Sequence, residues 1–293
     1  MSSLKIAEEG MILRGKIAEG LIASERPELL DLFFTYQNEA VAARRFLENS
    51  LIELDTGAEI LEIGGGILAL AIQLTYEGFK VTTVEPVGEG FSDISFIMKV
   101  FSEIASREDL NFKLIEAPIE NCTFDDKFDF IFSINVMEHL RDPYSVLLQM
   151  VETLKLGGNY RFLCPNYDFP YEPHFAKWLF LRKNKAFYLQ KSKANSDKIS
   201  IEASSGLLSS LNFLTLRKLK NSVRDREVKL ESNSNALYEI LIRSIHDPEL
   251  KKRHQGLTLV AKIIYFLKLH NLSKLIPSNF QPIMDVKASH SRT

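Results

Sequence analysis

Residues 61–70 read LEIGGGILAL: an apolar run carrying one acidic residue, a break of three glycines, and a second apolar run long enough for a helix. This is the pattern of a β-strand entering a helix through a tight turn. In open α/β sheets ligands collect at the carboxyl ends of the strands near the switch in strand order, and the first βα turn is the usual place. Gly64 and Gly66 let the backbone come close to a ligand that any Cβ would push away. Glu62, just before the turn, is expected to direct a carboxylate toward the same space.

The flanking sequence extends the pattern. Ala58–Ile63 is expected to be the strand and Leu68–Glu77 the helix, followed by a second strand at Phe79–Val84, rich in β-branched residues as buried parallel strands are. A helix around Ile94–Ser106, strands at Phe112–Ile115 and Phe128–Ser133, a helix from Pro143 and a strand at Tyr160–Cys164 continue the alternation. Asp142 before Pro143 forms an N-cap and first-turn pair. Strands alternating with helices imply βαβ units and a doubly wound, mostly parallel sheet, with right-handed crossovers placing helices on both faces.

Upstream, residues 26–54 place Pro27 at a first helical turn and run through Leu29, Leu30, Phe33, Phe34, Val41, Phe46, Leu47 and Leu51, giving one or two amphipathic helices. Beyond Cys164 the alternation loosens. Residues 182–198, with Arg182, Lys183, Lys185, Lys191, Lys193 and Lys198, read as an exposed loop, Leu211–Leu219 as a later strand and Ile283–Lys287 as a final one. The expected organisation is an N-terminal helical cap over residues 1–56, a core over 57–231 and 277–293, and a helical insertion over 232–276.

With 293 residues, 45% hydrophobic and 25% charged, the chain has the apolar content of a globule and not of a disordered segment. A net charge of -2 and a pI near 6.3 offer no global attraction to nucleic acid or an anionic membrane, which favours a small-molecule partner. Cys122 and Cys164 are the only cysteines, too few for a disulfide framework, and point to a reducing cytoplasm. The first 20 residues mix charges into their apolar positions and lack the uninterrupted run of a secretory signal. Leu257–Leu275 is apolar with Lys262, Lys268 and Lys274 interspersed. It reads as a core helix, a contact of a homodimer in a chain that is otherwise a monomer, or an amphipathic helix lying on a membrane, and its lysines argue against spanning one.

Glu85 closes the second strand, 19 residues after Gly66, where a carboxylate can accept hydrogen bonds from both hydroxyls of a ribose. Turn and carboxylate together indicate a nucleoside site without naming the nucleoside. Gly64, Gly66 and Ala69 also satisfy the G-x-G-x-x-A spacing of a dinucleotide fingerprint, so a nicotinamide-dependent oxidoreductase stands as an alternative.

The segment FDFIFSINVMEHLRDP, residues 128–143, and KLGGNYRFLCPN, residues 155–166, separate these readings. With the glycine turn and Glu85 they resemble class I S-adenosylmethionine-dependent methyltransferases, particularly the branch that includes ubiquinone-type O-methyltransferases, over roughly residues 57–175. The resemblance implies a Rossmann-like fold with a seven-stranded sheet and S-adenosylmethionine as cofactor. It also implies methyl transfer to a small acceptor such as a sugar, lipid precursor or phenolic metabolite, expected to be methylated on a hydroxyl. By the same resemblance Glu62, Gly64, Gly65 and Gly66 hold the methionine end of the cofactor, Glu85 its ribose, Ile119 and Glu120 its adenine, and Asn135 lies near the sulfonium. His139 beside Glu138 belongs to a motif associated in some relatives with a divalent metal. Here Asn135 stands where those relatives have an acidic ligand, so His139 is expected to be structural and no metal is expected.

Leu68 occupies a position where the family often has a third glycine, and a non-catalytic S-adenosylmethionine-binding protein is the third reading. CPNYDFPYEPHF, residues 164–175, should follow the fifth strand toward the reactive end of the cofactor, and His174 is its best imidazole for removing an acceptor's proton.

Overall fold

The computed structural model describes residues 11–86, 92–172, 177–178, 210–246 and 255–291. Its central strands are the apolar runs of the sequence. Strand β1 (Glu59–Ile63) pairs in parallel with β2 (Lys80–Val84) on one side and β4 (Phe128–Ile134) on the other, and β3 (Lys113–Ile115) pairs in parallel with β2. Ile60, Leu61, Phe130, Ile131 and Phe132 are buried on both faces of these strands, which is why the segments read as continuous apolar stretches and not as alternating ones. The chain continues through β5 (Leu154–Pro165), the short antiparallel pair β6 (Tyr171–Glu172) and β7 (Lys177–Trp178), β8 (Val228–Ser232) and β9 (Ile283–His290). The main sheet has seven strands in the order β3-β2-β1-β4-β5-β9-β8, with β8 and β9 antiparallel, so the expected fold is present as a mixed sheet. The order reverses at β1 and β4, which puts the turn after β1 at a topological switch point.

The chain divides into two units, Met1–Ile134 with Gln149–Tyr160 and Thr293, and Asn135–Leu148 with Arg161–Arg292. In the first, helices α1 (Arg14–Ala23), α2 (Leu30–Ile52, entered through a 3-10 turn at Pro27–Leu29) and α4 (Ser92–Arg107) share a core in which Ile17, Leu21, Phe33 and Phe101 gather with Ile67 and Leu68. A second cluster joins Leu47 and Leu51 of α2 to Ile60, Leu70, Leu74, Phe130 and Phe132. Helix α3 (Ala69–Tyr76) is buried over most of its length and tied to α2 by Arg44, whose guanidinium lies 2.8 Å from Glu77. Helix α1 lies within residues 1–56, read from the sequence as a helical cap, although the individual helices expected there begin only at residue 26.

In the second unit, α5 (Pro143–Glu152) begins as expected. Asp142 accepts hydrogen bonds from the Tyr144 and Ser145 N–H groups at 3.1 Å and from the Ser145 hydroxyl at 2.6 Å, which hold its carboxyl below the ordinary range. Asn166, at the end of β5, is fully buried and serves as a hub. Its amide donates to the carbonyls of Ser278, Asn279 and Gln281, and its Oδ1 accepts from the N–H groups of Asp168 and Leu216. Arg161 and Asp285 form a forked ion pair at 3.0 and 2.8 Å, and Asn233 donates to the same carboxylate. Helices α7 (Ala236–His246) and α8 (Gln255–Phe266), followed by a 3-10 run at Leu269–Leu275, occupy the expected helical insertion.

Two expectations are corrected. Leu211–Leu219 is not a strand: residues 211–215 are irregular and Leu216–Ser222 is helix α6, capped by the Thr215 hydroxyl, which accepts from the Lys218 N–H at 3.1 Å. Leu216, Leu219 and Val223 are buried at helical spacing, a period that the many apolar residues nearby conceal. The missing strand is β8, whose VKLES alternates as an edge strand does but is too short and polar to stand out. Strand β5 is also longer than expected and begins before the Gly157–Gly158 pair. A Cβ on Gly158 would lie 2.9 Å from the Asp129 carbonyl, so only glycine fits there.

Candidate functional site

The turn after β1 is built by its glycines in different ways. Gly64 and Gly66 have φ of +83° and +53°, in the left-handed region that glycine enters without steric cost, and both keep some exposed surface. Gly65 between them is buried, and a Cβ there would meet the Thr83 hydroxyl at 2.3 Å. Gly65 is therefore required by packing against β2, whereas Gly64 and Gly66 stay partly exposed. The turn is held by the Gly64 N–H donating to the Val84 carbonyl at 2.8 Å and the Leu68 N–H donating to the Gly65 carbonyl at 2.8 Å. Leu68, where the family often has glycine, keeps the glycine-like backbone with φ of 69° and buries its side chain completely in the helical core. The left-handed conformation costs a non-glycine residue about 1–2 kcal/mol, less than the roughly 2–5 kcal/mol lost when a buried leucine is truncated. Leucine is thus tolerated without reshaping the turn.

Glu62 and Glu85 converge on this turn. The Glu85 carboxylate accepts from the Gly66 N–H at 2.9 Å, and the Glu85 N–H donates to the Ile115 carbonyl, which fixes the end of β2. Glu62 is buried on β1 opposite Thr83 and accepts from the Thr83 hydroxyl at 3.0 Å. Burial pushes Glu62 up to about 8, against the Thr83 hydrogen bond and with help from the nearby Glu85 charge. Burial likewise pushes Glu85 up to about 7, against the Gly66 hydrogen bond. Neither carboxylate has a cationic partner among the described residues. Buried acids with raised proton affinity and open acceptor capacity mark a site prepared for external donors.

Tyr36 of α2 brings its ring to 3.6 Å from where a Cβ of Gly66 would be, so the helix preceding the sheet covers the turn. Gln37 beside it is fully buried, with neither amide atom hydrogen-bonded. Sequence reasoning missed Gln37 and Thr83. The signal for Thr83 was its place opposite Glu62 in a parallel register; a single polar residue in an amphipathic helix gave none for Gln37.

The other expected residues belong to later elements. Ile119 is buried and Glu120 half-buried in a 3-10 turn at Ile119–Asn121, beyond the end of β3. In the second unit Asn135 is exposed, with φ of 56°, and its N–H donates to the Leu163 carbonyl at 2.8 Å. The following 3-10 turn at Met137–His139 has Val136 as its N-cap and no side-chain cap, so Asn135 does not cap it. The Nδ1 of His139 lies 3.1 Å from the Ser210 hydroxyl, which gives this histidine a local structural partner. His174 lies outside the described residues, as do residues 182–198.

Residues 34–194 match the model of a family described as "Methyltransferase domain", a span that includes the glycine turn, both carboxylates and the EH segment. The chain belongs to this methyltransferase family. The match bears out the methyltransferase expected from the sequence. Along nearly its whole length the methyltransferase is similar to the uncharacterized protein Rv1509 of Mycobacterium tuberculosis, with 35% identity over 268 residues, 91% of this chain and 90% of the relative. A more distant likeness, 24% identity over 100 residues, relates 34% of the chain to 38% of the ubiquinone biosynthesis O-methyltransferase of Rickettsia typhi. Among solved structures the CcbJ methyltransferase of Streptomyces caelestis shares the fold with a TM-score of 0.50, 12% identity and coverage of 87% of this chain and 90% of that one.

Proposed function

We propose that this methyltransferase binds S-adenosylmethionine at the turn following β1 and transfers its methyl group to a hydroxyl of a small-molecule acceptor. The observation that supports the reading most strongly is the pair of carboxylates, buried Glu62 and half-buried Glu85, that gather at the glycine turn with no cationic partner among the described residues. S-adenosylmethionine supplies an electrophilic methyl group on a sulfonium. Two of its donors match the site: an ammonium suits Glu62, and the vicinal hydroxyls of a ribose suit Glu85. Gly64 and Gly66 offer backbone at close range, and Ile119 and Glu120 are assigned to the adenine.

Methyl transfer is an in-line displacement, so the protein's work is alignment and exclusion of water more than proton transfer. Tyr36 and its neighbours on α2 cover the turn and shield it. A hydroxyl acceptor also requires a base, for which the sequence nominates His174. The class of acceptor follows from the chain's charge: at -2 overall, it favours a small neutral or modestly charged metabolite over nucleic acid.

Calorimetric titration with S-adenosylmethionine, S-adenosylhomocysteine and NADH tests the cofactor, and release of S-adenosylhomocysteine across a panel of phenols, sugars and amines tests the acceptor. Binding of the two sulfur compounds alone, with turnover on hydroxyls that falls in His174→Ala, is the expected result. Binding of NADH instead would restore the oxidoreductase reading, binding without turnover on any acceptor would favour the non-catalytic one, and turnover confined to amines would overturn the O-methylation assignment.

A further inference from the structure

Helix α8 carries large apolar residues at exposed positions. Its described buried positions are the small residues Thr258 and Ala261, while Leu259, Ile263 and Phe266, spaced as one stripe of a helix, are 61%, 51% and 84% exposed. Exposed apolar residues continue through Leu267, Leu272, Leu275 and Ile276 to Phe280, with Leu275 at 77% and Phe280 at 64%. Single exposed apolar residues need no explanation, but a contiguous run of large ones on one stretch marks an interaction surface.

The charge of the same stretch indicates the partner. From Leu250 to Met284 the sequence contains Lys251, Lys252, Arg253, Lys262, Lys268 and Lys274 and no aspartate or glutamate, within a chain whose net charge is negative. Lys262, Lys268 and Lys274 are exposed among the apolar side chains. Exposed leucine, isoleucine and phenylalanine side chains on a stretch whose own charged residues are all cationic complement a surface that is apolar beneath and anionic at its rim, which is a bilayer with acidic headgroups. Lysine stems can lie along the apolar layer while their ammonium groups reach the phosphates. Among the described residues no helix is long and apolar enough to cross a membrane, so the contact is lateral.

We propose that residues 255–280 dock this protein peripherally on an anionic lipid surface, with Leu259, Ile263, Phe266 and Leu275 entering the interface and Lys262 and Lys268 meeting the headgroups, while the Lys274 ammonium lies 4.2 Å from the centre of the Tyr238 ring. The surface lies wholly within the second unit, and the proposal does not depend on the methyl-transfer reading.

The test is co-sedimentation of the full chain with vesicles of phosphatidylcholine alone or of equimolar phosphatidylcholine and phosphatidylglycerol. It includes Lys262→Glu/Lys268→Glu and Phe266→Ser/Leu275→Ser, with circular dichroism to establish folding and light scattering to give the oligomeric state. These side chains are exposed, so the variants should fold. Binding to the anionic vesicles is expected, strongly reduced by salt and by loss of the apolar pair. At about 1 kcal/mol for each lysine near the surface, reversing two should weaken it by at least roughly thirtyfold. Folded protein that ignores both vesicles would overturn the proposal, as would equal binding to both with no effect of charge reversal. A dimer that Phe266→Ser/Leu275→Ser converts to monomer, without vesicle binding, would assign the face to a second copy of the chain.

Discussion

Asp285 in the second unit and Glu62 with Glu85 in the first are all removed from bulk water to some degree, yet they are treated in opposite ways. Asp285 is clamped by both nitrogens of the Arg161 fork and by the Asn233 amide. Glu62 and Glu85 receive one neutral hydrogen bond each, from the Thr83 hydroxyl and the Gly66 N–H. Asp129 shows that the first unit also has the ordinary solution at hand: although burial acts against it, hydrogen bonds from Lys155 and the Glu59 N–H hold its carboxyl below the usual range. A carboxylate whose cation comes from its own chain serves the fold. A carboxylate buried without one lowers the stability of the free protein and keeps its acceptor capacity for a ligand.

The contrast can be broken most forcefully at the clamped pair. Asp285→Ala removes both hydrogen bonds that the Arg161 fork makes to this carboxylate and the contact from Asn233 and should cost roughly 1.5–3 kcal/mol, read as a shift of the urea midpoint. Affinity for S-adenosylmethionine in the folded fraction should be unchanged. Glu85→Ala should do the reverse. Losing the acceptor for two ribose hydroxyls should weaken S-adenosylmethionine by roughly a hundredfold or more in calorimetry, with little loss of stability.

Neighbouring glycines give a smaller version of the same test. Gly65→Ala forces a Cβ to 2.3 Å from the Thr83 hydroxyl and should destabilise the protein by about 1–3 kcal/mol. Gly66→Ala meets Tyr36 only at ordinary contact distance and should cost about 1–2 kcal/mol through its left-handed backbone, with the greater effect on cofactor affinity. Thermal unfolding and titration of the two variants side by side would separate the roles.

The smallest effect expected is in protons. With folded values raised from 4.5 to about 8 and about 7, Glu62 and Glu85 bind more protons in the native than in the unfolded state across that window. Their contribution to stability is therefore full at low pH and declines as pH rises from about 4.5 through about 8. A cofactor that donates to the ionised forms should release protons on binding near neutral pH. The observed binding enthalpy should then change with the ionisation enthalpy of the buffer, and this dependence should shrink in Glu85→Gln.

Most of this architecture was legible because the decisive residues are local. Three glycines after an apolar strand, an acid closing the next strand and an FD-strand followed by EH fix the β1 to β4 half of the sheet, and Asp142 announces its helix through a cap that needs only three residues. The C-terminal half was harder to read because its order is held by distant pairs. Asn166 reaches carbonyls more than a hundred positions away, and Arg161 meets Asp285 across 124. The edge strand β8 carries almost no hydrophobic signal, and α6 is short, with Leu216 and Leu219 following directly on Leu211, Phe213 and Leu214 so that its period does not stand out. At the site, the positions of Glu62 and Glu85 could be read from the sequence, but not the absence of a cationic partner among the described residues, which depends on neighbours in space. The packing role of Gly65 against Thr83 was invisible for the same reason.

The most direct test of the central claim is thermal unfolding of wild type and Glu85→Gln with and without S-adenosylmethionine. If the carboxylate is held for the cofactor, the ligand-free variant should melt at the same temperature as wild type or higher, and S-adenosylmethionine should stabilise it far less. A variant that melts lower when ligand-free and gains as much from S-adenosylmethionine as wild type would make Glu85 a structural residue and contradict the account.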